Sequence, residues 1–122
     1  MIQYNGQTLA YIGDAVYELF IREKLLASGN VKPNDLHHEA IGLTNANAQY
    51  SALKKIEDDL DPEEQAVVMR GRNATSSKKP KKATLQTYKL ATGFEALLGY
   101  LYLTGKKERL HNLLEKIAKE AV

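Results

Sequence analysis

The 122-residue sequence has no cysteine, no tryptophan and only three prolines, and no apolar run approaches the roughly 20 residues that span a membrane. Each absence excludes something. Without cysteine there is no thiolate nucleophile, no disulfide framework and no Cys-based zinc site. The core must rest on packing alone, which a chain of this length can supply by burying roughly two-thirds of its unfolded surface. The first residues lack the charged and apolar regions of a signal peptide, so the expectation is a cytoplasmic protein with no membrane partner. A Gly-rich phosphate loop, a nucleophile elbow, a dinucleotide fingerprint and a His-x-x-x-His pair are all missing as well. One ordinary domain over residues 1–122 is the expected unit.

What is present is charge, and it is segregated. Seventeen Lys and Arg against fifteen Asp and Glu give a net charge of only +2. Yet Glu57, Asp58, Asp59, Asp61, Glu63 and Glu64 crowd one short stretch, and no acid follows from Gln65 to Phe94. That acid-free stretch carries Arg70, Arg72, Lys78, Lys79, Lys81, Lys82 and Lys89, a concentration that suits a polyanion such as nucleic acid or an anionic membrane, or else forms a solvated loop.

Apolar spacing predicts an all-α fold. Leu9, Ile12, Val16, Leu19 and Phe20 mark a first helix from about Thr8 to Ala27, stopped by Ser28-Gly29-Asn30. Pro33-Asn34-Asp35 starts a second, and Thr44-Asn45 divides it from a third that carries Leu53 and Ile56. Asp61-Pro62-Glu63-Glu64 is a strong start signal for a fourth, because Asp caps free amides, Pro suits the first helical position and early acids favour the positive end of the dipole. That helix is expected to run toward Arg70 and give way to a polar loop from Gly71 to Lys82. The next helix spans roughly Thr84 to Leu103 and is ended by Gly105. A last amphipathic helix uses Leu110, Leu113, Leu114 and Ile117. Tyr17, Tyr100 and Tyr102 fall in core-like patterns.

Two acids lie inside the strongest apolar runs: Asp14 in the first helix and Glu95 in the fifth. A carboxylate among small and apolar residues needs a cation, a donor or a metal. Gly13, Gly93, Ala96 and Gly99 would let these helices approach closely enough for the two acids to meet. If they meet, two oxygen ligands with no cysteine nearby favour Mg²⁺ or Mn²⁺; if not, they are helix-face acids paired with Lys or Arg. Glu18, one turn after Asp14, is either a third ligand or the partner of Arg22. His37, His38 and His111 have no ligand spacing.

The run Leu9-Ala10-Tyr11-Ile12-Gly13-Asp14-Ala15-Val16-Tyr17-Glu18 resembles the signature helix of the ribonuclease III catalytic domain, and Thr92-Gly93-Phe94-Glu95-Ala96-Leu97-Leu98-Gly99 resembles its second acidic helix. Lys32-Pro33-Asn34-Asp35-Leu36-His37 and Arg70-Gly71-Arg72-Asn73-Ala74 are similar to the compact Mini-III branch. The resemblance implies a helical homodimer without the double-stranded-RNA-binding domain of the long members. It implies a Mg²⁺-dependent endoribonuclease cutting double-stranded RNA, with a stem in the precursor of large-subunit (23S) ribosomal RNA as natural substrate. Asp14 and Glu95 take the positions of catalytic, metal-binding carboxylates. Two further carboxylates of the long enzymes correspond to Ala10 and Thr92, a departure shared with the Mini-III branch. Arg70, Arg72, Asn73, Lys78, Lys79, Lys81 and Lys82 would grip RNA, and Tyr11 takes the position of an aromatic inserted into the partner protomer. A non-catalytic RNA-binding or ribosome-associated module on the same fold is the alternative.

Overall fold

The computed structural model of the chain describes residues 4–29, 31–74 and 82–119. Six helices follow one another: α1 (Gly6–Ala27), α2 (Pro33–Thr44), α3 (Ala46–Ile56), α4 (Pro62–Ala74), α5 (Leu85–Leu103) and α6 (Lys107–Lys119), with a short 3₁₀ turn at Glu57–Asp59 after α3. No strand occurs among the described residues. None of their helices is long and apolar enough to cross a membrane.

Local chemistry sets the boundaries. Asn5 accepts a hydrogen bond from the Thr8 amide at 2.8 Å, so α1 begins at Gly6, two residues before the expected start at Thr8. Asn45 alone separates α2 from α3; its extended backbone breaks the helix while its side chain caps the next one through the Ala48 amide at 2.9 Å, a cap of about 1 kcal/mol. Asp61 and Glu64 form a reciprocal capping box at 2.8 and 2.9 Å. Arg109 of α6 then bonds the buried Glu64 carboxylate at 2.8 Å and ties the last helix to the start of α4. Gly105, at φ +75°, ends α5 by letting the Lys106 and Gly105 amides turn back onto the Leu101 and Tyr102 carbonyls at 2.9 and 3.2 Å.

α5 is the axis of the molecule, and α1, α3 and α4 pack around it. Its Phe94, Leu97, Leu98 and Leu101 are wholly buried, each stabilising the fold by roughly 1.5–3 kcal/mol. Tyr17 of α1 stands edge-on to Phe94 at 5.1 Å between ring centres. The α1–α5 crossing is made by glycine. A Cβ on Gly13 would sit 1.7 Å from the Glu95 carbonyl oxygen, and one on Gly99 would sit 1.9 Å from that of Leu9.

Three expectations are corrected. α4 does not stop at Arg70 but continues through Gly71, Arg72 and Asn73 to Ala74. Gly71 is buried there against Gly93 and Ala96 of α5, so it serves helix contact and not chain reversal. Leu19 is 61% exposed and Tyr102 48% exposed, because each helix turns those positions away from the core. Tyr17 is buried as expected, and Tyr100 is half-buried with its hydroxyl bonded to Glu63.

Candidate active site

The close α1–α5 crossing brings Asp14 and Glu95 together. Both line an open cleft of about 360 Å³, with Ala10 and Tyr11 beside them on α1, Tyr88 and Thr92 on α5, and Gln7 at the start of α1. Glycine at position 13 is what allows it: the residue before Asp14 lies against the backbone of Glu95 itself. Asp14 faces solvent while Glu95 is half-buried.

Electrostatics at the pair are unusual. Burial, and after it the hydrogen bond and the charge of Asp14, push the Glu95 carboxyl up to about 8. A value that high favours the protonated form of Glu95 at neutral pH. A hydrogen bond from Gln49 Nε2 to Glu95 Oε2, at 3.1 Å, opposes that rise.

A divalent cation would stand where that proton stands. Two carboxylates in an open, polar cleft fit Mg²⁺ or Mn²⁺, which keep several waters and accept substrate phosphates as further ligands. Among the described residues no group of three His, Cys, Asp or Glu converges, so a cation held here would have this pair as its protein ligands. Glu18 is not a third: its carboxylate accepts from Arg22 at 3.0 and 3.2 Å. Ala10 and Thr92 line the same cleft one helical turn before Asp14 and Glu95. The Thr92 hydroxyl donates to the Tyr88 carbonyl at 3.1 Å.

The described cationic candidates lie at the end of α4 and just before α5. Arg70, Arg72 and Asn73 occupy the last turns of α4, and Gln7 Nε2 donates to the Ala74 carbonyl at 2.7 Å, which joins the end of α4 to the rim of the cleft. Arg70 donates to the Tyr4 carbonyl, and Arg72 to Asn73 at 3.1 Å. Lys82 is exposed, its carbonyl held by Asn47 at 3.2 Å. Lys78, Lys79 and Lys81 lie outside the described residues. Tyr11 is 78% exposed at the edge of the cleft.

Sequence reasoning missed Gln49. It is 3% exposed, and with Ala52, Leu53 and Ile56 it forms the buried face of α3. The signal was available: a polar residue occupying the first place of an i, i+3, i+4, i+7 apolar stripe is destined for the interior and needs a partner there.

Comparisons with known proteins agree with the all-helical fold. A family model described as Ribonuclease III domain matches residues 7–106. A Mini-ribonuclease 3 of Thermoanaerobacter sp. is 53% identical over 115 residues, covering 94% of this chain and 81% of the relative. One from Enterococcus faecalis is 46% identical over 120 residues, covering 97% and 91%. A crystal structure of a Fusobacterium nucleatum protein, 34% identical, superposes with a TM-score of 0.86 over 98% of this chain and 96% of that one.

Proposed function

The chain belongs to the ribonuclease III family, in its Mini-ribonuclease 3 branch, and on that premise we propose that Asp14 and Glu95 are the catalytic pair of a Mg²⁺-dependent enzyme maturing the precursor of large-subunit (23S) ribosomal RNA. The activity is that of a double-strand-specific endoribonuclease, a phosphodiester hydrolase. The observation that supports these residues is their meeting in one cleft, on two helices that only glycine lets approach so closely.

Bound at the pair, Mg²⁺ (or Mn²⁺) supplies a more acidic water and a Lewis acid for the phosphate oxygens. Asp14 and Glu95 fix its place relative to the scissile phosphate. Water adds to phosphorus, the bond to the 3′ oxygen breaks, and the products carry a 5′ phosphate and a 3′ hydroxyl. Arg70, Arg72, Asn73 and the Lys78, Lys79, Lys81 and Lys82 segment bind backbone phosphates. A-form RNA is read mostly by shape and by its backbone across a shallow groove, so a set of cations suits it. We read residues 1–122 as one cytoplasmic catalytic domain that grips RNA through these cations.

One cleft cuts one strand, so a second copy related by a two-fold axis is needed for both. Tyr11, Ala15, Leu19, Arg22 and Leu26 recur at three- and four-residue spacing and form an exposed stripe along α1. That stripe is the proposed homodimer face, with Tyr11 entering the partner.

A cleavage assay on duplex RNA with Mg²⁺ tests the reading. The unmodified protein cuts, EDTA stops it, and Asp14→Asn lowers the rate by at least a thousandfold while duplex binding persists. An Asp14→Asn protein that cuts normally refutes the assignment.

A further inference from the structure

Three polar side chains are buried among the described residues: Gln49, Glu64 and Thr92. Glu64 is satisfied by its capping box and Arg109, and Thr92 by the Tyr88 carbonyl one turn back. Gln49 spends its amide on Glu95, 46 residues away in sequence.

We infer that Gln49 is a positioning residue for the metal site, holding Glu95 so that one carboxylate oxygen is fixed and the other is presented to Asp14 and the cleft. The inference rests on the reading of Asp14 and Glu95 as the catalytic pair. Its basis is geometric. Gln49 Nε2 donates to Oε2 of Glu95 at 3.1 Å, and the two are brought together from different helices, α3 and α5. The turn that carries Gln49 is itself held: Asn45 caps it and Asn47 donates to the Lys82 carbonyl. A buried amide is costly to leave without a partner, so Gln49 is bound to keep this contact and Glu95 to keep one orientation.

A site with two protein carboxylates depends on such support more than a site with four. Fewer ligands share the task of fixing the cation, and a misaligned Glu95 has no neighbouring carboxylate to compensate. Hydrogen-bond partners behind metal ligands typically carry about 10- to 100-fold in affinity.

Gln49→Met keeps the length and removes the donor. Mn²⁺ binding to the RNA-free protein, followed by electron paramagnetic resonance, is expected to weaken about tenfold or more. The half-saturating Mg²⁺ for cleavage rises in parallel, while KM for duplex RNA at saturating Mg²⁺ stays within about twofold and kcat recovers with excess metal. A merely structural role would lower the unfolding temperature and leave Mn²⁺ affinity where it was. Gln49→Asn, which keeps an amide but draws it back by one methylene, shifts metal affinity in the same direction and decides the matter if the Met variant does not fold. Unchanged Mn²⁺ affinity in a folded variant overturns the inference. Asp14→Asn is measured alongside: if it binds Mn²⁺ and cuts like the unmodified protein, the catalytic pair is wrong, whatever Gln49 does.

Discussion

Burial first and Asp14 second hold the Glu95 carboxyl at about 8, against 4.5 for the free group. Two consequences follow, with opposite pH trends. A metal must displace the proton, so affinity for Mn²⁺ is expected to rise close to tenfold per pH unit from 6 toward 8 and to level off above; a flat titration across that range would show Glu95 is not a ligand. The metal-free fold, in contrast, binds one more proton than the unfolded chain between about pH 4.5 and 8, so Glu95 makes it progressively less stable as pH rises through that window. Glu95→Gln removes this dependence and raises the unfolding temperature of the metal-free protein at pH 8. A site that destabilises its own scaffold is a familiar cost of function. Of these residues the sequence displayed Asp14 and Glu95 plainly, because an acid inside an apolar run is conspicuous. Gln49 was hidden by its neutrality: an amide in an amphipathic helix reads as surface until its place on the buried stripe is counted.

Helices were legible wherever a cap or a strong apolar stripe marked them, and α5 falls within a residue of its expected span. The end of α4 was not legible, since Gly71 reads as a stop when taken alone and as a contact only when α5 is beside it. Glycine therefore has two different meanings in this fold, and substitution separates them. Gly13→Ala places a Cβ 1.7 Å from the Glu95 carbonyl oxygen, with backbone on both sides, so α1 and α5 must part. The expected loss is about 3 kcal/mol or more in urea unfolding, accompanied by a fall in cleavage because Asp14 moves with the helix. Gly42 in α2 has nothing within 4 Å of the same position, and Gly42→Ala should stabilise by about 0.5–1 kcal/mol through helix propensity alone. Equal effects at the two sites would mean that the α1–α5 contact does not set the spacing of the carboxylates.

At the scale of the molecule the unexplained surface is apolar. Tyr11 is 78% exposed and Leu19 61%, both on the face of α1 opposite its buried residues, while Leu26, 49% exposed, continues the stripe to a cavity it lines with Pro33, Leu36 and Ala40 of α2. Water-facing residues of this size in a row mark an interface more often than chance exposure. The same stripe begins at the edge of the cleft, since Tyr11 lines it, so assembly through α1 would set the separation of two active sites. Leu19→Arg puts a desolvated charge into that face without touching the cleft. It is expected to convert a dimer into a monomer at micromolar concentration in sedimentation equilibrium, and to lower duplex cleavage at least tenfold, because each site then binds RNA without the avidity of its twin. Folding and Mn²⁺ affinity stay unchanged, which separates lost assembly from lost chemistry. Tyr11→Arg should reproduce the monomer but also disturb the cleft. A Leu19→Arg protein that still sediments as the unmodified one does would place the two-fold contact elsewhere and leave α1 free for a different partner.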